Sequence, residues 1–287
     1  MANALFIVWR ESVEAILVVS ILYAWIREHG GGTVRLSHLW GGIAAGVGLA
    51  LALAAAMLGV QSQLAGAALD AFQAAIVLAA AALMTQMVLW MRRHGRTMKG
   101  ELESGMRRAA VGAGGFAAAT LAAIAVAREG SETVLFLYGL GLEQRGAGLA
   151  TVLAGSALGL LLALATAWLL AKSRRFLSWR AFFGITEVLL LLLAASLAVS
   201  GAEKLIGLEW LPPLVEPVWD TSGLLDDASG IGAIAAAFAG YRARPSLTLV
   251  LVYLAYWVVV ALLIARGRAR PVHPLADPGG RPSERPG

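Results

Sequence analysis

Long apolar runs separated by short polar segments dominate the chain. Each run holds roughly 20 residues or more, enough for a helix to cross a hydrocarbon core of about 30 Å. The runs predict seven membrane-spanning helices at about residues 4–26, 39–60, 69–91, 110–140, 147–171, 181–202 and 246–265. The pattern therefore predicts an all-α polytopic membrane protein whose single transmembrane domain covers residues 1–266.

Composition supports this class of protein. Hydrophobic residues make up 59% of the chain and charged residues only 14%, whereas a soluble domain carries about 25% charged residues. The remaining residues, 267–287, are rich in proline and glycine and are expected to be disordered. The chain contains no cysteine, which excludes disulfides, thiolate metal sites and iron–sulfur clusters.

Positive charges are sorted to one side of the predicted helices. Seventeen of the 23 lysines and arginines fall in the first, third and fifth loops and the C-terminal tail, and four fall on the opposite side. The positive-inside rule then places the N-terminus outside and the C-terminus in the cytoplasm. The outer side has a net charge of −4, which would attract cations, although it is also what the orientation bias alone would produce.

Two identical charged blocks interrupt the apolar pattern. The first charged block contains Arg10, Glu11 and Glu14, and the second contains Arg128, Glu129 and Glu132. A charge at bilayer depth costs several kcal/mol unless it is paired or faces water, so such groups indicate function. Helical spacing places the three charged side chains of each block on one face. Counted from the predicted helix ends, both blocks fall at a similar level in the outer half of the membrane.

Together, the two blocks would present four carboxylates and two guanidiniums. Hard cations prefer several carboxylate oxygens, so the four glutamates are the expected metal ligands. Arg10 and Arg128 can each hold a carboxylate in a fork geometry, and we expect them to position the glutamates rather than bind the ion. The alternative is that each block is an internal Arg–Glu pair that joins helices.

The chain also shows signs of an internal repeat. The blocks lie 118 residues apart, and each begins a predicted three-helix unit, at about residues 4–91 and 110–202. The second helix of each unit carries a Gly-x-x-x-Gly pair, which permits close helix packing in lipid. Because a unit with an odd number of spans inserts in the opposite orientation to its copy, the repeats would have inverted topology, as in many secondary transporters.

A long outer segment, residues 203–245, precedes the seventh helix and could contain a short helix over Ser229–Ala239. Asp220, Asp226 and Asp227 are predicted to form an outer surface for cation collection or partner docking. Equally, they could cap helical turns. Within the sixth predicted helix, Glu187 is a candidate inner relay for the ion, unless it simply pairs with Arg180 near the cytoplasmic interface.

Other site chemistries are poorly supported. No histidine falls within a predicted span, which argues against an intramembrane zinc, haem or protease site, and no permanently bound cofactor, enzymatic activity or nucleic-acid binding is expected. Met84, Met87 and Met91 form a helical stripe that could suggest copper but is more typical of packing.

The two Arg-Glu-x-x-Glu blocks in helices 1 and 4 resemble those of the oxidase-dependent iron permease family, which includes the fungal high-affinity iron permease and the bacterial EfeU-type permeases. The outer stretches from Trp219 and from Gly240 to Ser246 are similar to the bacterial branch, and the resemblance extends to about residue 266. It implies iron import across the plasma (inner) membrane, with iron as substrate and the four motif glutamates as its ligands. It also implies an extracytoplasmic partner for iron redox or delivery, in the bacterial branch a periplasmic cupredoxin-like protein and a haem peroxidase.

Two positions depart from the expected family pattern. The family pattern predicts a glutamate near position 73, where this chain has Gln73. It predicts a small residue at position 187, where this chain has Glu187. From the residues alone, two alternatives to an iron permease stay open. One is an exchanger for manganese or calcium, since duplicated acidic helices also serve those ions, and the other is a non-transporting membrane assembly factor.

Overall fold

The computed structural model describes residues 2–29, 34–94, 98–111, 114–143, 149–172 and 179–268. These residues form helices and connecting turns, and no strand occurs among them. The helices are α1 (Ala2–His29), α2 (Leu36–Gln63), α3 (Ala67–His94), α4 (Met98–Val111), α5 (Gly114–Glu143), α6 (Leu149–Lys172), α7 (Trp179–Gly207), α8 (Gly230–Ala239) and α9 (Leu247–Arg268). The predicted disordered tail lies outside the described residues, apart from its first two positions at the end of α9.

Five of these helices are long and apolar enough to cross a membrane: Leu36–Gln63, Ala67–Arg93, Ala150–Leu169, Gly184–Gly207 and Leu247–Arg266. The all-α polytopic fold is thereby confirmed at this level. Helices α1 and α5 have 28 and 30 residues, about the length of these five helices. Their apolar runs are interrupted by the two charged blocks. That they also cross the membrane, giving seven spans, stays a prediction.

The helices pack across the two predicted repeats. Helix α2 packs mainly on α5, α6 packs mainly on α1, and α3 packs on α7. Glycines make the first two contacts close: a Cβ at Gly42 would lie within 3 Å of the backbone oxygen of Ala119, and one at Gly159 would lie within 3 Å of that of Leu5. The glycine pairs therefore bring the second helix of each unit against the first helix of the other.

One element was not predicted. Residues 98–111, expected to be loop, form the amphipathic helix α4, because Leu102 and Met106 bury an apolar edge against α1 and α5 while charged side chains line the other side. As a result, α5 begins at Gly114 rather than near residue 110.

The outer segment folds back on itself and enters the bundle. Its two ends pair through the backbone, with Thr221 N–H donating to the Ala243 oxygen at 3.0 Å. Between them lies α8, which confirms the predicted short helix; it ends at Gly240 in the left-handed conformation (φ 70°). The Ser196 hydroxyl of α7 donates to the Ala236 oxygen of α8 at 2.9 Å. Because Ser196 lies three turns before the end of α7, α8 packs well inside the end of the bundle at which α7 terminates.

Candidate cation site

The site lies where α1 and α5 face each other. On α5, Gly130 occupies the middle of the second charged block, and a Cβ there would lie 2.7 Å from the Cβ of Ala50 on α2. The missing side chain therefore lets α2 approach the back of the block. The acidic face of α5 is then turned toward α1.

Three of the four predicted ligands form one cluster. Glu11, Glu14 and Glu129 each offer a carboxylate oxygen, and these oxygens lie within 4.8 Å of one another. All three residues are buried, with Glu11 only 1% exposed. Among the described residues, this is the one group of three or more acidic or histidine side chains with the spacing of a metal site. The structure thus brings the two blocks together as the sequence predicted.

Arg10 binds both glutamates of its own block. Its Nη1 donates to Oε1 of Glu11 at 2.7 Å, and its Nη2 lies 2.5 Å from Oε1 of Glu14. The two side chains of the first pair are almost fully buried. In such surroundings, water screens the charges little, so the arginine is a strong local counter-charge to the carboxylates.

The second block is arranged differently. Arg128 Nε donates to Oε1 of Glu132 at 3.1 Å, and the guanidinium lies over the ring of Trp90, 4.5 Å from the ring centre. The Arg128 side chain is 41% exposed and that of Glu132 is 15% exposed. Glu132 therefore lies at the open edge of the site. Glu129 instead joins the buried cluster.

Several buried carboxylate oxygens lack a hydrogen-bond partner. Three of them belong to the charged blocks and have no ion-pair partner among the described residues either: Oε2 of Glu11, Oε2 of Glu129 and Oε2 of Glu132. Buried polar atoms in native proteins are nearly always paired, and an unpaired one costs about 1–3 kcal/mol. Three such oxygens around one cluster are the arrangement that a bound cation would satisfy.

The middle of α5 packs against the middle of α2, since Gly130 lies beside Ala50. The start of α1 contacts α8: the Asn3 side-chain amide donates to the Ala237 oxygen at 3.5 Å, and Phe6 contacts the ring of Phe238. The first turn of α1 is therefore inside the bundle. The position of the site in the outer half of the membrane stays a prediction.

Each of the three outer aspartates accepts a backbone hydrogen bond. Asp220 accepts from the Ser222 N–H at 3.0 Å and Asp226 from the Ala228 N–H at 3.1 Å, bonds that are typical of turn capping. Asp227 accepts from the Ala243 N–H at 3.1 Å and so joins two distant parts of the outer segment. The side-chain hydrogen bond from Ser222 and contacts with Arg244 lower the pKa of Asp220 to about 2. The collecting role stays a prediction.

Glu187 pairs with Arg92 of α3, linking α3 to α7. The predicted alternative partner was Arg180, whose side chain lies outside what the structure describes. A relay role for Glu187 stays a prediction. Gln73, the other departure from the expected pattern, accepts a hydrogen bond from Lys204 Nζ at 3.0 Å and thereby joins the outer ends of α3 and α7.

Two side chains at the site were missed by sequence reasoning. Met87 and Met91, interpreted as packing, have their sulfur atoms 2.8 Å and 3.0 Å from the Arg10 guanidinium nitrogens. Met84, the third member of the stripe, lies in the apolar core as expected. The sequence spacing gave no means of separating these roles, because all three occupy one helix face.

Comparison with known proteins identifies related chains. The chain matches the family model described as "Iron permease FTR1 family" over residues 1–267. An uncharacterized protein of Archaeoglobus fulgidus is 30% identical over 280 residues, covering 94% of this chain and 96% of that protein. The protein named ferrous iron permease EfeU of Shigella sonnei is 28% identical over 261 residues, covering 90% and 93%. Its namesake in Yersinia pestis is 27% identical over 259 residues, covering 90% of each. No solved structure matches.

Proposed function

Because the chain belongs to the iron permease FTR1 family, we propose that it imports iron through a site built from its two charged blocks. Membership makes the protein a multi-pass membrane permease and not an enzyme. The family was correctly identified from the paired blocks.

The observation that carries the proposal is the buried cluster of Glu11, Glu14 and Glu129. Carboxylates are costly to bury without a counter-charge, so four of them beside two arginines leave a net charge of −2 that a divalent cation would neutralise. Glu132, at the open edge, would be the first ligand that an incoming ion meets. The three carboxylate oxygens without partners would complete the ion's coordination.

The packing supports seven spans arranged as two inverted repeats. If the two three-helix units are related by symmetry, the contact between α2 and α5 must be matched by a contact between α6 and α1. Both contacts are present and extensive. The charged faces of α1 and α5 meet inside the bundle, so neither helix has to expose its block to lipid. An ion site at the interface of two repeats is the arrangement of many transporters.

The proposed direction of transport is from outside to cytoplasm, with the N-terminus outside. The charge asymmetry of the loops supports this orientation. Ferrous iron is the proposed substrate, because related proteins are named ferrous iron permeases. An extracytoplasmic protein that oxidises or delivers iron, such as a cupredoxin-like protein or a haem peroxidase, is the proposed partner at the outer segment.

Uptake by the purified chain in liposomes tests the function. Vesicles containing the chain and empty vesicles receive ferrous iron under anaerobic reduction, or ferric iron as a soluble chelate, and internal iron is measured over time. We expect protein-dependent uptake of ferrous iron that excess manganese or calcium inhibits weakly. Equal uptake of manganese or calcium would favour a broader cation exchanger, and no uptake of any ion would overturn the proposal.

A further inference from the structure

Arg10 has a second set of partners besides its glutamates. Its Nη1 donates to the sulfur of Met87 at 2.8 Å, and its Nη2 donates to the sulfur of Met91 at 3.0 Å. Each terminal nitrogen therefore contacts one carboxylate and one thioether. A thioether sulfur is a weak, uncharged acceptor, so it orients the guanidinium without neutralising it.

Arg128 is held by the same turn of α3. The ring of Trp90 lies under its guanidinium, 4.5 Å from the ring centre to the carbon atom Cζ. An aromatic face attracts a cation through its quadrupole and, like the thioether, carries no net charge. Residues 87, 90 and 91 share one face of a helix because they are spaced by three and four positions.

The arginine-binding face of α3, formed by Met87, Trp90 and Met91, thus contacts both motif arginines. This face is well anchored. Met87 and Val88 are buried in the core between α3 and α7, and the next residue after the face, Arg92, pairs with Glu187 of α7. The last turns of α3 are therefore a fixed support rather than a free helix end.

We propose that Met87, Trp90 and Met91 are positioning residues that hold the two arginines in place when a cation takes over their carboxylates. The inference rests on the proposed function. A cation that binds Glu11 and Glu14 removes the strongest partners of Arg10. The buried guanidinium would then need other hydrogen-bond acceptors to hold it in place. The two sulfurs supply such neutral acceptors, and the ring of Trp90 holds Arg128 in the same way.

The chemistry explains why neutral acceptors suit this position. A carboxylate in place of either methionine would make the site more negative and would hold the cation more tightly. It would also neutralise Arg10, whose positive charge beside the bound ion favours release of the ion. Apolar side chains would leave buried N–H donors unpaired while the cation is bound, at a cost to binding.

The test compares paired substitutions with opposite expectations. The double variant M87L/M91L keeps volume and removes the acceptors, whereas M87Q/M91Q keeps volume and supplies amide oxygens that accept from a guanidinium. Equilibrium dialysis with ferrous iron under anaerobic conditions, and uptake in liposomes, give the dissociation and half-saturation constants. We expect the leucine pair to weaken binding by at least about fivefold and the glutamine pair by less than about twofold.

Met84 provides the matched control. It is fully buried on the same stripe and lies in the apolar core. At this position the order should reverse, with Met84→Leu tolerated and Met84→Gln destabilising, because a buried amide without partners is costly. Thermal unfolding of each purified variant separates loss of fold from loss of binding. If the leucine pair does not fold, the half-buried single variant Met91→Leu replaces it.

The same logic applies to Trp90. Trp90→Phe keeps an aromatic face and should weaken iron binding less than Trp90→Leu. The inference is overturned if wild type binds iron but leucine is tolerated better than glutamine at positions 87 and 91, as simple packing would require. Failure of the wild type itself to bind or transport iron would instead contradict the proposed function, so the two failures are distinguishable.

Discussion

The two charged blocks have the same motif but different surroundings. In the first, Arg10 is buried and contacts both glutamates of its block. In the second, Arg128 is 41% exposed and its ion pair is with Glu132, while Glu129 lies in the cluster with the first block. One block is therefore closed on itself, and the other divides its carboxylates between the buried cluster and the open edge.

This difference comes from the neighbours of each helix and not from the motif. α1 packs against α6 and α5, and the last turns of α3 cover its arginine with two sulfurs. On α5, Arg128 lies over the ring of Trp90 from the same turns of α3, and its side chain stays 41% exposed. Repeated sequence motifs can thus acquire distinct roles when the repeats meet different partners. Here the first block would hold the ion and the second would admit it.

The largest effect is expected from removing the ligands. Glu→Gln at positions 11, 14, 129 and 132 keeps volume and removes charge, and each should reduce iron uptake by about tenfold or more, equivalent to ~1.4 kcal/mol. Glu11 and Glu129 should be the most sensitive, because both lie in the buried cluster and each has an oxygen without a hydrogen-bond partner. Initial uptake rates in liposomes measure this.

The exposed Glu28 supplies the control for these variants. Glu28→Gln should leave uptake unchanged, because this side chain lies near the end of α1, away from the site. Normal uptake by all four site variants would show that the cluster is not the transport site.

Replacing the arginines with lysine tests the asymmetry directly. Lysine keeps the charge but cannot contact two carboxylates and two sulfurs in one plane. Arg10→Lys should lower uptake by about tenfold, since buried pairs lose most when one partner is changed. Arg128→Lys should lower it about twofold to threefold, because a half-exposed pair is screened by solvent. Equal losses in both variants would mean that the two blocks are equivalent despite their surroundings.

Glycine substitutions test the close helix contacts between the two repeats. Gly42→Ala and Gly159→Ala each place a methyl group against a backbone oxygen of the other repeat, so both should destabilise the fold by about 1–3 kcal/mol. Gly48→Ala, which faces open space, should be neutral or slightly stabilising. Thermal unfolding in detergent gives the comparison. A loss at only one of the two positions would contradict the matched packing of the repeats.

The smallest effect is expected at the outer aspartates. If Asp220, Asp226 and Asp227 collect cations, their replacement with asparagine should raise the half-saturation constant at low ionic strength, less so at high ionic strength, and leave the maximal rate unchanged. If they only cap turns, the unfolding temperature falls slightly and half-saturation stays the same. Uptake at two salt concentrations, together with thermal unfolding, decides between these roles.

The dependence of iron uptake on external pH distinguishes the outer aspartates from the buried site carboxylates. The pKa of Asp220 is lowered from 3.8 to about 2. Its stabilising contribution is therefore fully present above about pH 4 and is lost only as the pH falls toward 2. A decline in uptake between about pH 7 and pH 5 would then reflect protons competing with iron for the site carboxylates. We expect such a decline in wild type and in Asp220→Asn alike.

The site could be located from the sequence because charged residues are energetically costly inside a membrane. Charged residues in apolar helices are rare enough that the sequence pattern alone assigned Glu11, Glu14 and Glu129 to one site, and the small-residue spacing at Gly42 and Gly46 correctly indicated close packing. The apolar runs predicted the long helices to within several residues, because hydropathy determines which segments can cross a bilayer.

Features set by tertiary contacts could not be predicted in this way. Met87 and Met91 contact Arg10 across about 80 positions of sequence, and nothing local distinguishes them from Met84. The packing of α8 on the start of α1 was not predicted either, because it depends on a long-range contact between Asn3 and Ala237. The short helix α4 was overlooked because it is rich in charged residues, and only its amphipathic pattern indicated it.

The cross-packing of the repeats has a consequence for biosynthesis. The ribosome makes α1 well before its partners: Met87 on α3, Glu129 on α5 and Gly159 on α6. Until those helices are synthesised, the charges of the first block have no complete set of neighbours and must stay near water or in the translocation machinery. Although α1 is made before these partners, it is therefore among the last helices to reach its final packing, and truncated chains that end before α6 should be prone to degradation.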